Sequence, residues 1–301
     1  MAGGQERQLR RRIRTVNSTK KITRAMELIA ASRIVKAQQR VAAARPYSEL
    51  LTQALRNIAS AGGSDVAHPL LVPRDEIRRV GFVVVTADRG LAGGYNSGVI
   101  RAAERDLLAE QAAGRDYALI LTGKKAEAYF RFRNYKIDAS YTGFSEQPTY
   151  EWARKIANFV MEQFNEGNID EVRLVYTQFL SVAAQRVVIR KFLPMESESL
   201  AEGETTGPAG GYEFEPEPDE ILSRLLPAYV EARLFDAFLE AAASEQASRQ
   251  RAMKAATDNA NELIRTLERI ANRARQESIT TEIMEIVGGA EALSQGSKSE
   301  E

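Results

Sequence analysis

Residues 228–287, between Pro227 and Gly288, form a run of 60 residues that contains neither glycine nor proline. A helix over the whole run would be about 90 Å long at a rise of 1.5 Å per residue. This is much longer than the usual helix of a globular domain, and helices of that length are typical of coiled coils. The run therefore predicts a long helix that pairs with a second helix.

The apolar residues of this run recur at the coiled-coil period. Their spacing alternates between three and four residues, at Met253, Ala256, Ala260, Leu263, Leu267, Ile270 and Ala274. An average of 3.5 residues predicts a left-handed supercoil. Upstream, Gln246 and Arg249 stand where this seam should be apolar, and downstream the apolar row restarts in a shifted phase at Ile279. The pattern predicts a helix seam interrupted by polar residues.

The candidate partner helix lies near the N-terminus, since residues 5–45 also lack glycine and proline. Its apolar residues on one face are Leu9, Ile13, Val16, Met26, Ile29 and Ala37, with an interruption at Lys20. Pro46 bends or ends this helix, or opens a second helix that runs to about Ala61. Both long helices join the same middle region, so side-by-side packing away from that region requires them to be antiparallel.

The middle of the chain alternates strand and helix patterns. Predicted strands are Val80–Thr86, Tyr117–Thr122, Lys136–Tyr141, Val172–Gln178 and Arg186–Phe192, and predicted helices are 97–111, 124–132 and 149–165. Such alternation is typical of a mostly parallel sheet with flanking helices. The predicted fold class is α/β, with a Rossmann-like sheet, plus a long antiparallel coiled coil. The predicted divisions are a helix at 1–61, a connector at 62–77, an α/β domain at 78–195, a loop at 196–219 and a helix with its tail at 220–301.

The charges are strongly asymmetric, although 41 basic and 41 acidic side chains give a net charge of zero. Residues 1–50 carry a net charge of +9, which predicts a polyanionic partner or simply a solvated helix face. Residues 196–220 carry a net charge of −9 and are rich in glycine and proline, which predicts a flexible loop.

The composition excludes several kinds of chemistry. The chain has no cysteine, which removes thiol catalysis, disulfides and cysteine-ligated metals. Its one histidine, His68, precedes a proline in a connector, where a packing role is expected. No carboxylate pair, metal spacing, secretory signal or apolar run of about 18 residues stands out. We therefore expect no catalytic residue, no bound metal and no cofactor.

Residues 87–98 form a glycine-rich loop between the first strand and the next helix. One interpretation is a phosphate cradle at Gly90–Gly94, as in a nucleotide-binding enzyme. The spacing matches neither G-x-G-x-x-G nor a P-loop. A second interpretation is a structural turn made by Gly90, Gly93, Gly94 and Asn96, with Asn96 or Ser97 as the helix N-cap. A third is a docking surface for another chain.

Four sequence blocks, in order, resemble the gamma subunits of F-type ATP synthases. They are RIRTVNSTKKITRAMELIAASRIVKAQQR at 12–40, TADRGLAGGYNSG at 86–98, EQASRQRAMKAATDNAN at 245–261 and ITTEIMEIVGGA at 279–290. The last block fits the family pattern Ile/Val-Thr-x-Glu-x-x-acid-x-x-x-Gly-Ala at every fixed position. Ala92 stands where many members have cysteine, and the chain has no cysteine-bearing regulatory insert, which excludes thiol control.

The resemblance implies a rotor shaft without catalytic activity. In the family, the terminal helices form a coiled coil inside the hexamer of alpha and beta subunits, and the α/β domain lies near the epsilon subunit and the membrane c-ring. Ion flow through the c-ring turns the shaft. The implied location is the cytoplasmic face of the bacterial plasma membrane, with only indirect membrane association and no nucleic acid.

Matching positions imply the site residues. Coupling contacts with the alpha/beta ring are implied for Arg24, Met26, Arg249, Arg275, Gln276 and Thr280. Contacts of the foot with the c-ring and epsilon are implied for Tyr212 and Glu215. Two other classes of function stay open at this point: a nucleotide-binding enzyme that uses the glycine loop, and a nucleic-acid scaffold that uses the basic N-terminus. The lack of aromatic stacking residues in 1–46 counts against the scaffold.

Overall fold

The structure is a computed structural model that describes residues 2–60, 68–195 and 218–296. Its elements in chain order are α1 (Ala2–Ser60), β1 (Arg79–Val85), α2 (Tyr95–Ala112), β2 (Asp116–Thr122), α3 (Lys124–Phe132), β3 (Ala139–Tyr141), α4 (Tyr150–Asn165), β4 (Glu171–Phe179), β5 (Gln185–Leu193) and α5 (Pro218–Gly296).

The five strands form one sheet in the order β3-β2-β1-β4-β5. β1 pairs in parallel with β2 and β4, and β2 with β3, whereas β4 and β5 are antiparallel neighbours. The prediction of a mostly parallel sheet is confirmed. β3 is shorter than predicted and begins at Ala139, because the side chain of the preceding Asp138 accepts a hydrogen bond from the Leu119 N–H of β2 at 2.9 Å.

Alternate residues of β1 pack into two different cores. Val80, Phe82 and Val84 pack with residues of α2 and α3 on one face of the sheet. Val83 and Val85 pack on the other face with residues of α4 and with segments of α1 and α5. A strand buried on both faces explains the continuous β-branched run that predicted it.

The chain divides into two compact units, one of residues 1–29 and 251–301 and the other of residues 30–250. In the second unit, residues 33–40 of α1 line the same groove as residues 239–246 of α5. Residues 41–57 of α1 line another groove with residues 233–240 of α5. As the residue number rises along α1, the number of the facing residue in α5 falls, as expected for antiparallel helices. The predicted domain boundaries stay predictions.

Helix α1 continues through Pro46 to Ser60, so of the alternatives for this proline an end of the helix and the start of a separate helix are excluded. Beyond Pro46, the side chains of Leu51, Leu55 and Ile58 are buried in the core under the sheet. This burial stabilises the helix enough to outweigh the backbone hydrogen bond that a proline removes.

In the unit of residues 1–29 and 251–301, the buried residues of α5 keep the predicted average spacing of 3.5 residues. Every second buried position, however, lies one residue later than predicted. The buried positions are Met253, Thr257, Ala260, Ile264, Leu267, Ala271 and Ala274. Leu263 and Ile270 were assigned to the seam from their spacing, yet they are 38% and 41% exposed. Each is followed by a second apolar residue, Ile264 or Ala271, which takes its place. Spacing alone cannot choose between two adjacent apolar residues.

Expected seam residues are exposed in two other places. Ile29 of α1 faces solvent, and the next residue, Ala30, is buried instead. The apolar row that restarts at Ile279 is also exposed, as are Ile283 and Ile286. The end of α5 therefore presents apolar side chains at its surface.

Candidate functional site: helix surfaces and the glycine loop

Arg24 lies on the exposed side of α1 and is bonded to a buried acid. Its Nη1 atom donates to both carboxylate oxygens of Glu27, at 2.8 and 2.9 Å. Glu27 is buried at the edge of the helix pair, while Met26 beside it is half-buried. The guanidinium of Arg24 thus compensates the charge of Glu27 and still reaches the surface.

A polar layer joins the two helices next to this pair. The hydroxyls of Thr23 in α1 and Thr257 in α5 lie 2.8 Å apart and are buried. Each is also close to a carbonyl of its own helix, that of Lys20 or that of Met253. Because each hydroxyl has one proton, one threonine donates across the seam and the other donates to its own helix.

Arg249 lies inside the unit of residues 30–250 and is 6% exposed. Its Nη2 atom donates to Glu245 Oε1 at 2.5 Å and to the Gly90 carbonyl at 3.2 Å. Burial raises the pKa of the Glu245 carboxyl, and Arg249 opposes that rise. Arg249 therefore anchors the glycine loop to α5. Its position in an apolar heptad row does not suggest this contact.

The remaining coupling candidates, Arg275, Gln276 and Thr280, lie on exposed turns near the end of α5. The Thr280 hydroxyl donates to the Gln276 carbonyl at 2.9 Å, within its own helix. Among the described residues, the side chains of Arg275 and Gln276 make no hydrogen bond and no ion pair. The foot candidates Tyr212 and Glu215 lie outside the described residues.

The glycine loop is closed by an asparagine side chain. Asn96 Oδ1 accepts from the Ala87 N–H at 2.9 Å, and Asn96 Nδ2 donates to the Arg89 carbonyl at 3.4 Å. Helix α2 begins at Tyr95 with Gly94 at the N-cap position and no capping side chain, so the prediction of Asn96 or Ser97 as N-cap is wrong. The side chain of Asn96 instead bridges Ala87 and Arg89 of the loop. Gly93 adopts a φ of +57° in this loop, a left-handed conformation that favours glycine.

Asp88 fills an anion position beside this loop. Its carboxylate accepts from the backbone N–H groups of Gly143 at 2.9 Å, Ser145 at 3.1 Å and Lys124 at 3.2 Å. Burial by itself would raise the pKa of the Asp88 carboxyl, but these hydrogen bonds outweigh it and hold that pKa below its ordinary value. Lys124 begins α3, so the protein's own carboxylate occupies the helix N-terminus that a phosphate would use.

Asp88 and its neighbour Arg89 have different partners. Arg89 Nη1 lies 3.6 Å from Glu146 Oε1. The N–H groups of Ala87, Asp88, Tyr95 and Gly98 all donate within the protein. These bonds fix both ends of the loop within the protein, which favours its structural interpretation.

The described residues contain no cluster of three or more potential metal-ligating His, Cys, Asp or Glu side chains. His68 Nδ1 accepts from the Leu70 N–H at 3.2 Å in a turn, and burial lowers the pKa of its imidazole. Across ranges 2–60, 68–195 and 218–296, no helix has the length and apolar character needed to cross a membrane.

Comparison with known proteins decides the family. A family model described as ATP synthase matches residues 5–293. The ATP synthase gamma chain of Parafrankia sp. (strain EAN1pec) is 52% identical over 299 residues, which cover 97% of this chain and 99% of the relative. The ATP synthase gamma chain of Mycolicibacterium smegmatis is 50% identical over 306 residues, covering 97% and 98%.

The chain belongs to the family of ATP synthase gamma chains. Its resemblance to that family in four sequence blocks is thereby confirmed over nearly the whole length.

Solved structures of mitochondrial ATP synthases contain chains with the same fold. A chain of the Euglena gracilis mitochondrial ATP synthase, in a structure of OSCP, F1 and c-ring, matches with a TM-score of 0.66 at 20% identity. The match covers 98% of this chain and 97% of that one. A chain of the Tetrahymena thermophila mitochondrial ATP synthase central stalk and c-ring matches with a TM-score of 0.60 at 24% identity, covering 78% and 99%.

Several residues that shape these sites were not expected from the sequence. Glu245 and Glu146 hold Arg249 and its neighbours, and Thr23 and Thr257 form the polar layer of the seam. A polar residue in an apolar row, as at Thr257, is a signal that could have indicated the seam layer, whereas Glu146 lies in a loop and gives no such signal. Their partners lie far away in sequence, so the pairing itself needed the structure.

Proposed function

We propose that this chain is the central-stalk rotor subunit of an F-type proton-translocating ATP synthase, and that it transmits rotation of the membrane c-ring to the alpha/beta hexamer. The observation that carries the proposal is the pairing of two very long terminal helices, joined to a single α/β sheet, in a member of the gamma-chain family. Paired helices can carry torque because neither can bend or twist without the other.

The composition of the helix pair suits a shaft that turns inside a sleeve. Its seam is rich in alanine, at Ala260, Ala271 and Ala274, which allows the helix axes to approach closely. Its outer face near the N-terminus carries exposed basic residues, and the two acids of this part of α1, Glu6 and Glu27, are paired with Arg10 and Arg24. Charged contacts are exchanged for water at low cost, unlike large apolar contacts. Such a surface does not bind the surrounding subunits strongly at any single rotational position.

The coupling contacts are proposed at Arg24, Met26, Arg275, Gln276 and Thr280, which all reach the surface of their helices. Arg249 has a different part in this proposal. Because it is buried and bonded to Gly90, it supports coupling by fixing the glycine loop to α5 and so holds the sheet domain to the shaft.

The proposed partners are the alpha and beta subunits, the epsilon subunit and the c-ring, with Tyr212 and Glu215 as contacts of the foot. The chain performs no chemistry itself and acts at the cytoplasmic face of the bacterial plasma membrane. Family membership, and the carboxylate of Asp88 at the N-terminus of α3 beside the glycine loop, favour this proposal over a nucleotide-binding enzyme. It is also favoured over a nucleic-acid scaffold, because the gamma-chain relatives match along nearly the whole chain.

Co-purification from native membranes tests the assignment. The chain, tagged within residues 196–211, is expected to bring down alpha, beta, epsilon and c-ring subunits, identified by mass, together with ATPase activity. Untagged membranes passed over the same resin control for carry-over. Recovery of the chain alone, or with nucleic acid, would contradict the proposal.

A further inference from the structure

A basic groove of about 270 Å³ lies between α1, α5 and the loop before α4, within the unit of residues 30–250. Arg33, Lys36 and Arg40 line it from successive turns of α1. Ala37, Leu239 and Ala242 supply small or apolar surfaces, and the small residues leave room between the helices. None of the proposed coupling contacts with the alpha/beta ring lines this groove.

Gln246 lines the groove from α5 with an amide that lacks a partner. The residue is 3% exposed, and among the described residues neither its Nε2 donor nor its Oε1 acceptor makes a hydrogen bond. Buried polar groups are almost always hydrogen-bonded, since desolvating an unpaired amide is unfavourable. The amide therefore points to a ligand that both accepts and donates.

The charge around the groove favours an anion. The one acid among its lining residues, Glu146, is already compensated by Arg33 at 2.7 Å, Arg89 at 3.6 Å and Arg249 at 3.9 Å. Lys36 and Arg40 make no ion pair within the described ranges, and their positions four residues apart place them on one side of α1. Two uncompensated cations thus stand beside the unpaired amide.

We propose that this groove binds inorganic phosphate. Phosphate oxygens accept from Lys36, Arg40 and Gln246 Nε2, while the P–OH group of hydrogenphosphate donates to Gln246 Oε1. Sulfate has the same shape but carries no proton at neutral pH, so it leaves the Oε1 acceptor unpaired. The site thus prefers phosphate to sulfate. The proposal is independent of the rotor function.

Calorimetric titration of the full-length chain tests the proposal with three ligands, inorganic phosphate, sulfate and ADP. We expect phosphate to bind with a dissociation constant of about 1 mM or lower, and sulfate about tenfold more weakly. Absence of phosphate binding contradicts the proposal. Equal binding of sulfate contradicts the role of Gln246, and binding of ADP without phosphate assigns the groove to a nucleotide instead.

Variants separate the site from the stability of the fold. Gln246→Leu removes the amide at similar size, so it should weaken phosphate binding about tenfold or more while leaving the melting temperature in phosphate-free buffer unchanged or higher. Lys36→Gln changes only an exposed charge and should also weaken binding. Arg45→Gln, an exposed basic residue of the same helix outside this groove, is the control and should bind as the unmodified chain does. Unchanged binding in Gln246→Leu and Lys36→Gln would overturn the proposal.

Discussion

At the scale of single residues, Asp88 shows how a side chain can take the place of a ligand. Its carboxylate accepts three backbone N–H groups from two separate segments, the start of α3 and the loop that contains Gly143 and Ser145. The carboxylate thereby ties the end of β1 to both segments. It also neutralises a helix N-terminus that would attract an anion.

Replacing Asp88 with asparagine should lower the free energy of unfolding by about 2 kcal/mol at neutral pH, since charge-assisted hydrogen bonds are lost. The pKa of Asp88 is lowered in the folded state, so its stabilisation is complete above the ordinary carboxyl pKa and is lost as pH falls through the folded value. Urea unfolding of both proteins at several pH values measures this. The difference between them should shrink below about pH 4, and a difference that stays constant with pH would contradict this account.

Gly123 connects β2 to α3 at a position that only glycine fits. Its φ is +88°, and a Cβ atom would lie 2.2 Å from the carbonyl oxygen of Thr86. Gly123→Ala should therefore lower the free energy of unfolding by about 3 kcal/mol or more.

Gly114 is the matched control for this substitution. Its φ is +79°, but a Cβ atom there meets nothing within 4 Å. Gly114→Ala should cost only the conformational strain, about 1 kcal/mol. Equal losses in the two variants, measured by urea unfolding, would mean that the contact with Thr86 is unimportant.

At the scale of elements, the helix pair shows what spacing can and cannot predict. The period of 3.5 residues is correct because apolar burial must follow the contact line of two supercoiled helices. Which residues are buried at this period depends on where the partner helix lies. In the adjacent apolar pairs Leu263/Ile264 and Ile270/Ala271, the sequence alone allows either residue to be the buried one. The strands of the sheet were easier to predict, since burial on both faces leaves few polar residues in β1 and β2.

The seam assignment is testable with two neighbouring substitutions. Ile264→Ala should lower the stability of the helix pair by about 2 kcal/mol or more, because it opens a cavity in a buried seam. Leu263→Ala should cost less than about 1 kcal/mol, because that side chain is largely exposed. Thermal melting of the full-length chain, followed by circular dichroism, compares the two. A larger loss in Leu263→Ala would restore the assignment made from spacing.

At the scale of the whole molecule, the sequence identifies the family better than it identifies the working contacts. The blocks at 12–40, 86–98, 245–261 and 279–290 identify the family specifically, because all four resemble it and stand in the same order along the chain. The role of Arg249 could not be predicted, because Gly90 and Glu146 approach it only in the folded chain. The coupling residues stay predictions, since each contact involves a second subunit.

Charge reversal at Arg275 tests the proposed coupling surface. Arg275 is exposed and unpaired among the described residues, so Arg275→Glu leaves the fold intact. Reversal of Arg24 is less clean because it would also leave the buried carboxylate of Glu27 without its partner. In inverted membrane vesicles, Arg275→Glu should lower ATP synthesis about threefold or more at equal assembly, as expected for a lost contact of about 0.7 kcal/mol.

Arg154→Glu, on the exposed side of α4, is the matched control and should leave synthesis unchanged. If Arg275→Glu and Arg154→Glu gave the same rate of synthesis per assembled complex, the coupling contact at Arg275 would be wrong.

The central claim, that this chain is the rotor, is tested most directly by watching it turn. The chain has no cysteine, so Ala109→Cys on the exposed side of α2 creates a single labelling site for a bead. With the alpha/beta hexamer fixed to a surface and ATP supplied, the account predicts that the bead rotates continuously in one direction and stops when ATP is removed. Hydrolysis of ATP by the same complexes while every bead stays still would contradict it.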